Sequence, residues 1–114
     1  MDSQTPPVVI TPIEGGFRVA LSGPIHNNTA WIEGELNQLA ASNPKKVELD
    51  LAGCDHIASV GLGMLVNFQN RIKGQGGAVR IVKMLPRMQE ILRAAYLHRF
   101  FDIAPDAVVN DDAN

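Results

Sequence analysis

The sequence predicts an α/β or α+β fold in which helices cover a mixed sheet of four or five strands. Two observations carry this prediction. Short alternating runs at 47–51 and 78–82 are separated by a long apolar helical run, which is typical of parallel strands joined by a crossover helix. Two further strand candidates at 8–10 and 17–21 flank a glycine-bearing turn, which indicates an antiparallel hairpin.

The first half of the chain continues from this hairpin into a helix. A Gly-Pro pair ends the second strand, and Asn27 or Asn28 can cap a helix over about 29–41. Its apolar stripe consists of Ile32, Leu36, Leu39 and Ala40. Trp31 lies one step off this stripe, so partial burial at its margin is favoured over an exposed anchor for a partner.

The second half alternates strands and helices. The strand at 47–51 leads through a loop to a helix over about 59–73, which ends at a glycine-rich turn. After the strand at 78–82, a proline favours the start of a helix over about 87–95. Residues 100–103 are expected to form a last short strand.

The composition limits the classes of function. The 114 residues carry a net charge of −2, so the chain lacks the basic character of a nucleic-acid-binding domain. One cysteine, Cys54, excludes an internal disulfide framework and fits a reducing cytosol. No apolar run approaches the ~18 residues of a membrane span, and the N-terminus lacks a signal peptide. We therefore expect a cytoplasmic protein without direct membrane insertion.

Ser59 stands at the junction between the loop and the second helix. Its hydroxyl can accept a hydrogen bond from a free backbone N–H of that helix, as an N-cap. The helix dipole also favours negative charge there, so a phosphate on Ser59 could be held without unfolding the helix. Both interpretations, the helix cap and the phosphorylation switch, stay open at this level.

Enzymatic chemistry is poorly supported by the sequence. Asp55 and His56 precede Ser59, but they are adjacent and no third partner for a catalytic relay is identifiable. Gly61 and Gly63 are not followed by the Lys-Ser/Thr of a nucleotide-binding loop, and close packing of the helix on the sheet explains them better. The three histidines lack metal-ligand spacing. We expect no catalytic residue, no metal and no cofactor.

These segments resemble the STAS domain of bacterial anti-sigma-factor antagonists over about residues 8–104. The most specific similarity is the start of the second helix. The family reads Asp-Ser-Ser/Thr-Gly-Leu-Gly there, and this chain reads Ala58-Ser59-Val60-Gly61-Leu62-Gly63. The resemblance places the family's phosphorylated serine at Ser59. It implies a STAS-like fold at 8–104. The polar N-terminus at 1–7 and the acidic tail at 105–114 are expected to be flexible.

The chain departs from the family pattern at three places. Ala58 and Val60 replace an acidic residue and a second hydroxyl. The loop after the second strand reads Gly-Pro-Ile-His at 23–26 and lacks two carboxylates. Ala-Tyr-Leu at 95–97 replaces Thr-Gly-Leu and removes a glycine suited to left-handed helix capping.

The resemblance implies a bacterial regulator of transcription that binds an ATPase-like anti-sigma serine kinase. Phosphorylation of Ser59 would release that partner. The residues implied in partner binding are His26, Asn27, Asn28, Ser59, Val60, Gly61 and Met64. The alternative is a constitutive STAS interaction module, such as the cytoplasmic partner of a lipid-transport ABC complex or a subunit of a signalling scaffold. A homodimer is compatible with either function.

Overall fold

The computed structural model describes residues 6–26 and 29–109, which form a five-stranded mixed sheet and three helices. The elements in chain order are β1 (Val8–Ile13), β2 (Gly16–Ser22), α1 (Thr29–Ala41), β3 (Lys46–Gly53), α2 (Ser59–Gly74), β4 (Ala78–Met84), α3 (Pro86–Ala94) and β5 (Asp102–Ile103). Their order along the chain confirms the predicted α/β fold.

The strands lie in the sheet in their order along the chain, β1-β2-β3-β4-β5. The β1–β2 pair is the predicted antiparallel hairpin, and the other pairs are parallel. Three consecutive crossovers therefore advance in one direction, and right-handed crossovers of this kind put α1, α2 and α3 on the same face. The burial pattern agrees, since Val47 and Leu49 of β3 are fully buried while Glu48 and Asp50 between them are partly exposed.

The helices bury the faces that their sequence pattern predicts. In α1 the buried residues are Ile32, Leu36, Leu39 and Ala40, the whole predicted stripe. In α3, Pro86 occupies the first turn, where its missing N–H costs no helical hydrogen bond, and Met88 and Leu92 are buried. Full burial of such side chains stabilises the fold by about 1.5–3 kcal/mol each.

A row of alternating charges crosses the face of the sheet opposite the helices. Arg18, Glu48, Arg80 and Asp102 are successive partners in the strand register. Arg18 Nη2 lies 2.8 Å from Glu48 Oε1, and Arg80 Nε lies 3.4 Å from Asp102 Oδ2. Opposite charges thus face each other between neighbouring strands, which favours this register.

The residues after α3 differ from the expectation of a flexible tail beginning at 105. Ala107 is fully buried, and its carbonyl accepts a hydrogen bond from the Met84 N–H (2.9 Å). The Val109 N–H in turn donates to the Met84 carbonyl (2.9 Å). The predicted boundary after residue 104 is therefore wrong, because backbone pairing continues the domain to residue 109.

The predicted N-terminal boundary needs a smaller correction. The Pro7 carbonyl accepts a hydrogen bond from the Ser22 N–H (3.0 Å), so residue 7 is already attached to the sheet. The remaining predictions of flexible ends, at 1–5 and 110–114, lie outside the described residues. None of the helices within 6–26 and 29–109 combines the length and apolar character needed to cross a membrane.

Candidate functional site

Two loops meet at the carboxyl ends of β2 and β3 and form the surface around Ser59. Gly23 N–H donates to the Gly53 carbonyl (2.8 Å) at the start of this contact. Further along, Ile25 N–H donates to the His56 carbonyl (2.9 Å), and Ala58 N–H donates to the Ile25 carbonyl (2.8 Å). These backbone hydrogen bonds hold the loop that contains His26 beside the residues that lead into α2.

The first turn of α2 packs closely on these loops. Ile25 and Ile57 form a parallel bridge, and both side chains are buried. A Cβ atom on Gly61 would lie 2.7 Å from Ile57 Cγ1 and 2.9 Å from Ile25 Cγ2. A Cβ atom on Gly63 would meet no atom within 4 Å. The predicted close packing is therefore confirmed for Gly61 and wrong for Gly63, which faces open space.

Of the two interpretations of Ser59, the structure does not support the helix cap. The cap residue is Ala58, in an extended conformation (φ −83°, ψ 168°), and no side-chain hydrogen bond caps the helix. The Ala58 carbonyl accepts hydrogen bonds from Gly61 N–H (2.9 Å) and Leu62 N–H (3.0 Å). The Ala58 N–H also donates to the Ile25 carbonyl, which holds this residue beside the neighbouring loop. Ser59 is consequently the first helical residue.

Ser59 is exposed at this position. Because the residue is exposed and makes no cap hydrogen bond, its hydroxyl is accessible to a modifying enzyme. The backbone N–H groups at the start of an α-helix lack intrahelical partners and carry partial positive charge. No acidic residue lies in the first turn to oppose a phosphate there.

The other predicted docking residues divide into exposed and buried positions. Val60 is 56% exposed and His26 is exposed, so both side chains are accessible to a partner. Gly61 and Met64 are buried, and they support this surface from beneath. Asn27 and Asn28, including their predicted role as cap of α1, lie outside the described residues.

A shallow groove of about 290 Å³ runs between the first halves of α1 and α2. Its lining residues are Thr29, Glu33, Val60, Gly63, Met64 and Asn67. Thr29, Glu33, Gly63 and Asn67 are absent from the predicted set of docking residues. Val60, Met64 and Asn67 are spaced at i, i+4 and i+7 and therefore share one helix face. This spacing could have identified Asn67 as part of the same surface from the sequence.

Trp31 is also more accessible than expected. Its side chain is 56% exposed, so the favoured interpretation of partial burial at the edge of the stripe is wrong. An exposed tryptophan on α1 provides a large amphipathic surface of the kind that is enriched in protein interfaces.

Cys54, in the loop before α2, is a buried residue without the surroundings of a nucleophile. Desolvation raises the pKa of its thiol from 9.0 to about 11, and the nearby Asp55 carboxylate contributes in the same direction. The Sγ donates a weak hydrogen bond to the His56 carbonyl (3.4 Å). The thiol is therefore protonated at neutral pH, whereas a reactive cysteine requires the thiolate.

Comparison with known proteins gives a consistent result. The sequence model of the STAS domain matches residues 8–108. No curated protein matches the chain significantly. An anti-sigma factor antagonist from Mycobacterium paratuberculosis has a similar structure, with a TM-score of 0.73 at 23% identity, covering 86% of this chain and 84% of that one.

Two structures of SpoIIAA are also similar. The unphosphorylated anti-sigma factor antagonist SpoIIAA has a TM-score of 0.72 at 10% identity, covering 87% of this chain and 89% of that one. The phosphorylated Bacillus cell fate determinant SpoIIAA has a TM-score of 0.62 at 11% identity, covering 87% of this chain and 92% of that one.

Proposed function

The chain belongs to the STAS domain family, and on that basis we propose that it is an anti-sigma-factor antagonist switched by phosphorylation of Ser59. In this proposal the unmodified protein binds an ATPase-like anti-sigma serine kinase in the bacterial cytoplasm and thereby frees a sigma factor. The observation that carries the proposal is the exposed, non-capping Ser59 at the first position of α2. The structural similarity to SpoIIAA, solved in unphosphorylated and phosphorylated forms, supports it.

A phosphate at Ser59 would add a charge of about −1.5 to −2 at pH 7. The helix dipole would stabilise that charge, typically by about 0.3–1 kcal/mol. The exposed side chain carries no packing that modification would break, so the fold should change little. The phosphate would act on the complex, because burying it against an apolar or acidic partner surface without compensating hydrogen bonds is costly.

The proposed docking surface consists of His26, Ser59 and Val60 together with the α1–α2 groove. Val60 supplies an exposed apolar contact directly beside the phosphorylation site. Gly61 packs closely on Ile25 and Ile57. This contact fixes the orientation of Ser59 and Val60 in the same helical turn. Such preorganisation lowers the entropic cost of binding.

A constitutive interaction module is the second candidate. It is favoured by Ala58 and Val60, which stand where the family has an acidic residue and a second hydroxyl. An apolar Val60 suits permanent protein contact, whereas the missing acidic residue removes a feature that a serine kinase of the usual type would meet. The same surface would then bind its partner without a switch.

One experiment separates these two candidates. The protein is incubated with ATP and an ATPase-like anti-sigma kinase from its own organism, and phosphate incorporation and binding are both measured. Ser59→Ala should abolish incorporation. Ser42→Ala is the matched control, because Ser42 is another exposed serine and its hydroxyl donates to the Leu39 carbonyl (2.7 Å) at the end of α1.

The switch predicts binding by the unmodified protein and affinity weakened at least about tenfold, or ~1.4 kcal/mol, by phosphorylation. Binding without phosphate incorporation would favour the constitutive module. Incorporation that persists in Ser59→Ala and disappears in Ser42→Ala would contradict the assignment of Ser59.

A further inference from the structure

A second cleft lies near the other end of α2, away from Ser59. It has a volume of about 320 Å³, which is at the small end of the range of about 300–1,000 Å³ for ligand pockets. Its walls are Gln69 and Lys73 of α2, residues 77–79 at the start of β4, and the turn at 99–102. Gln69 is ten residues beyond Ser59, or ~15 Å along the helix axis, so the cleft is separate from the proposed docking surface.

Gln69 is the buried polar residue of this cleft. It is 2% exposed, and its Nε2 donates a hydrogen bond to the Phe100 carbonyl (2.8 Å). This bond fixes the orientation of the amide, because only the nitrogen can donate to a carbonyl. The remaining atom, Oε1, is buried and has no hydrogen-bond partner among the described residues. Buried polar atoms are nearly always paired, so a donor from outside the protein is expected here.

Two cationic side chains line the cleft beside Gln69. Lys73 and Arg99 are exposed, and neither forms an ion pair with another residue of 6–26 or 29–109. Asp102 also lines the cleft, but its carboxylate lies 3.4 Å from Arg80 Nε and is thereby partly neutralised. The cleft therefore has a net positive potential, which favours an anionic ligand.

The aromatic residues of the turn give the cleft a fixed apolar wall. The Phe100 ring packs edge to face on Phe101, with ring centroids 5.2 Å apart and an interplanar angle of 90°. Phe101 is buried, so this pair anchors the turn that also carries Arg99. The wall and the Gln69 hydrogen bond hold the turn against α2.

We propose that this cleft binds a small phosphomonoester that also carries a hydroxyl group. Lys73 and Arg99 hold the phosphate by charge-assisted hydrogen bonds. The hydroxyl donates to Gln69 Oε1, and the carbon skeleton lies against Phe100. The site is independent of the proposed role of Ser59.

Glycerol 3-phosphate is a suitable probe, followed in the full chain by NMR of the ¹⁵N-labelled backbone amides. We expect saturable shifts at Gln69, Lys73 and residues 77–79 and 99–102. Glycerol, which lacks the charge, should cause none. Methyl phosphate, which lacks the hydroxyls, should bind at least about fivefold more weakly, consistent with loss of one hydrogen bond.

Variants locate the binding to the cleft. Lys73→Gln combined with Arg99→Gln should weaken glycerol 3-phosphate binding at least about tenfold. Arg71→Gln is the matched control on the same helix and should bind like the wild type, because the Arg71 guanidinium donates to Asn37 outside the cleft (3.3 Å). The absence of saturable shifts, equal binding of methyl phosphate, or full affinity in the double variant would each overturn the proposal.

Discussion

Alanine substitutions at Gly61 and Gly63 test whether the first turn of α2 is seated as closely as its contacts indicate. The same chemical change is made at both positions, two residues apart in one helix. Either substitution favours the helix by about 1 kcal/mol, because alanine has the higher helix propensity. The surroundings of the new methyl group decide the net effect.

At Gly61 the methyl group would lie 2.7 Å from Ile57 Cγ1 and 2.9 Å from Ile25 Cγ2, both in buried side chains. Overpacking of this kind typically costs about 1–3 kcal/mol, which outweighs the gain in propensity. At Gly63 no atom lies within 4 Å of the new methyl group, so the gain is kept. We expect Gly61→Ala to be less stable than Gly63→Ala by roughly 2 kcal/mol.

Urea unfolding followed by circular dichroism measures this difference. The midpoints should move in opposite directions from the wild type, with unchanged slopes. Equal stabilisation by both substitutions would refute the inference that Gly61 packs directly on the two isoleucines. Under the proposed function, Gly61→Ala should also weaken partner binding. Gly63→Ala changes a residue that lines the α1–α2 groove and tests whether this groove contributes to binding.

Three further substitutions have defined outcomes. Ala58→Asp should stabilise the protein by ~1 kcal/mol, because it supplies the missing side-chain cap of α2; an unchanged thermal midpoint would contradict the assignment of the cap. Tyr96→Gly should stabilise the protein by about 0.5–1 kcal/mol, since Tyr96 is 81% exposed and adopts a left-handed conformation (φ 60°) that favours glycine. Urea unfolding measures this change in stability. A loss of stability would show that the tyrosine ring makes a compensating contact. Burial raises the pKa of Cys54 to about 11, so the unfolded chain loses this proton first as the pH rises. Relative to Cys54→Ala, the wild type should lose about 2 kcal/mol of stability between pH 9 and pH 11. Urea unfolding at both ends of this range measures the difference, and a constant difference would contradict it.

The framework of the fold could be predicted because its elements follow simple periodicities. The stripe from Ile32 to Ala40 has helical spacing, and it is buried as expected. The parallel pairing of β3 with β4 follows from the helix that separates them. Strand ends were less predictable: β4 continues to Met84, two residues beyond the predicted end.

Other features depend on contacts that sequence patterns do not contain. Ser59 has the side chain of a helix cap, but the cap is Ala58, which has an extended backbone and an N–H that donates to the Ile25 carbonyl. The acidic composition after residue 104 indicated a frayed tail, whereas Ala107 is buried by pairing with the Met84 backbone. Trp31 adjoins the buried Ile32 in sequence, yet its side chain is 56% exposed, which helical spacing did not predict.

Tyr96 illustrates how a departure from a family pattern can be interpreted. The glycine that the family places there suits a left-handed helix end, and the structure confirms that this position requires a positive φ. Because the Tyr96 side chain is 81% exposed, its bulk disturbs no packing, and the backbone cost of the left-handed conformation is what remains. The sequence comparison therefore identified a strained position correctly, although it could not show how the chain accommodates it.

The measurement that most directly tests the account is the modification state of Ser59 in the cells that make the protein. Intact-mass spectrometry with peptide mapping over residues 46–71, with a Ser59→Ala strain as control, provides it. The proposed switch predicts a phosphorylated fraction that varies with growth or stress and maps to Ser59, and that is absent from the control. An unmodified Ser59 under all conditions would contradict the switch.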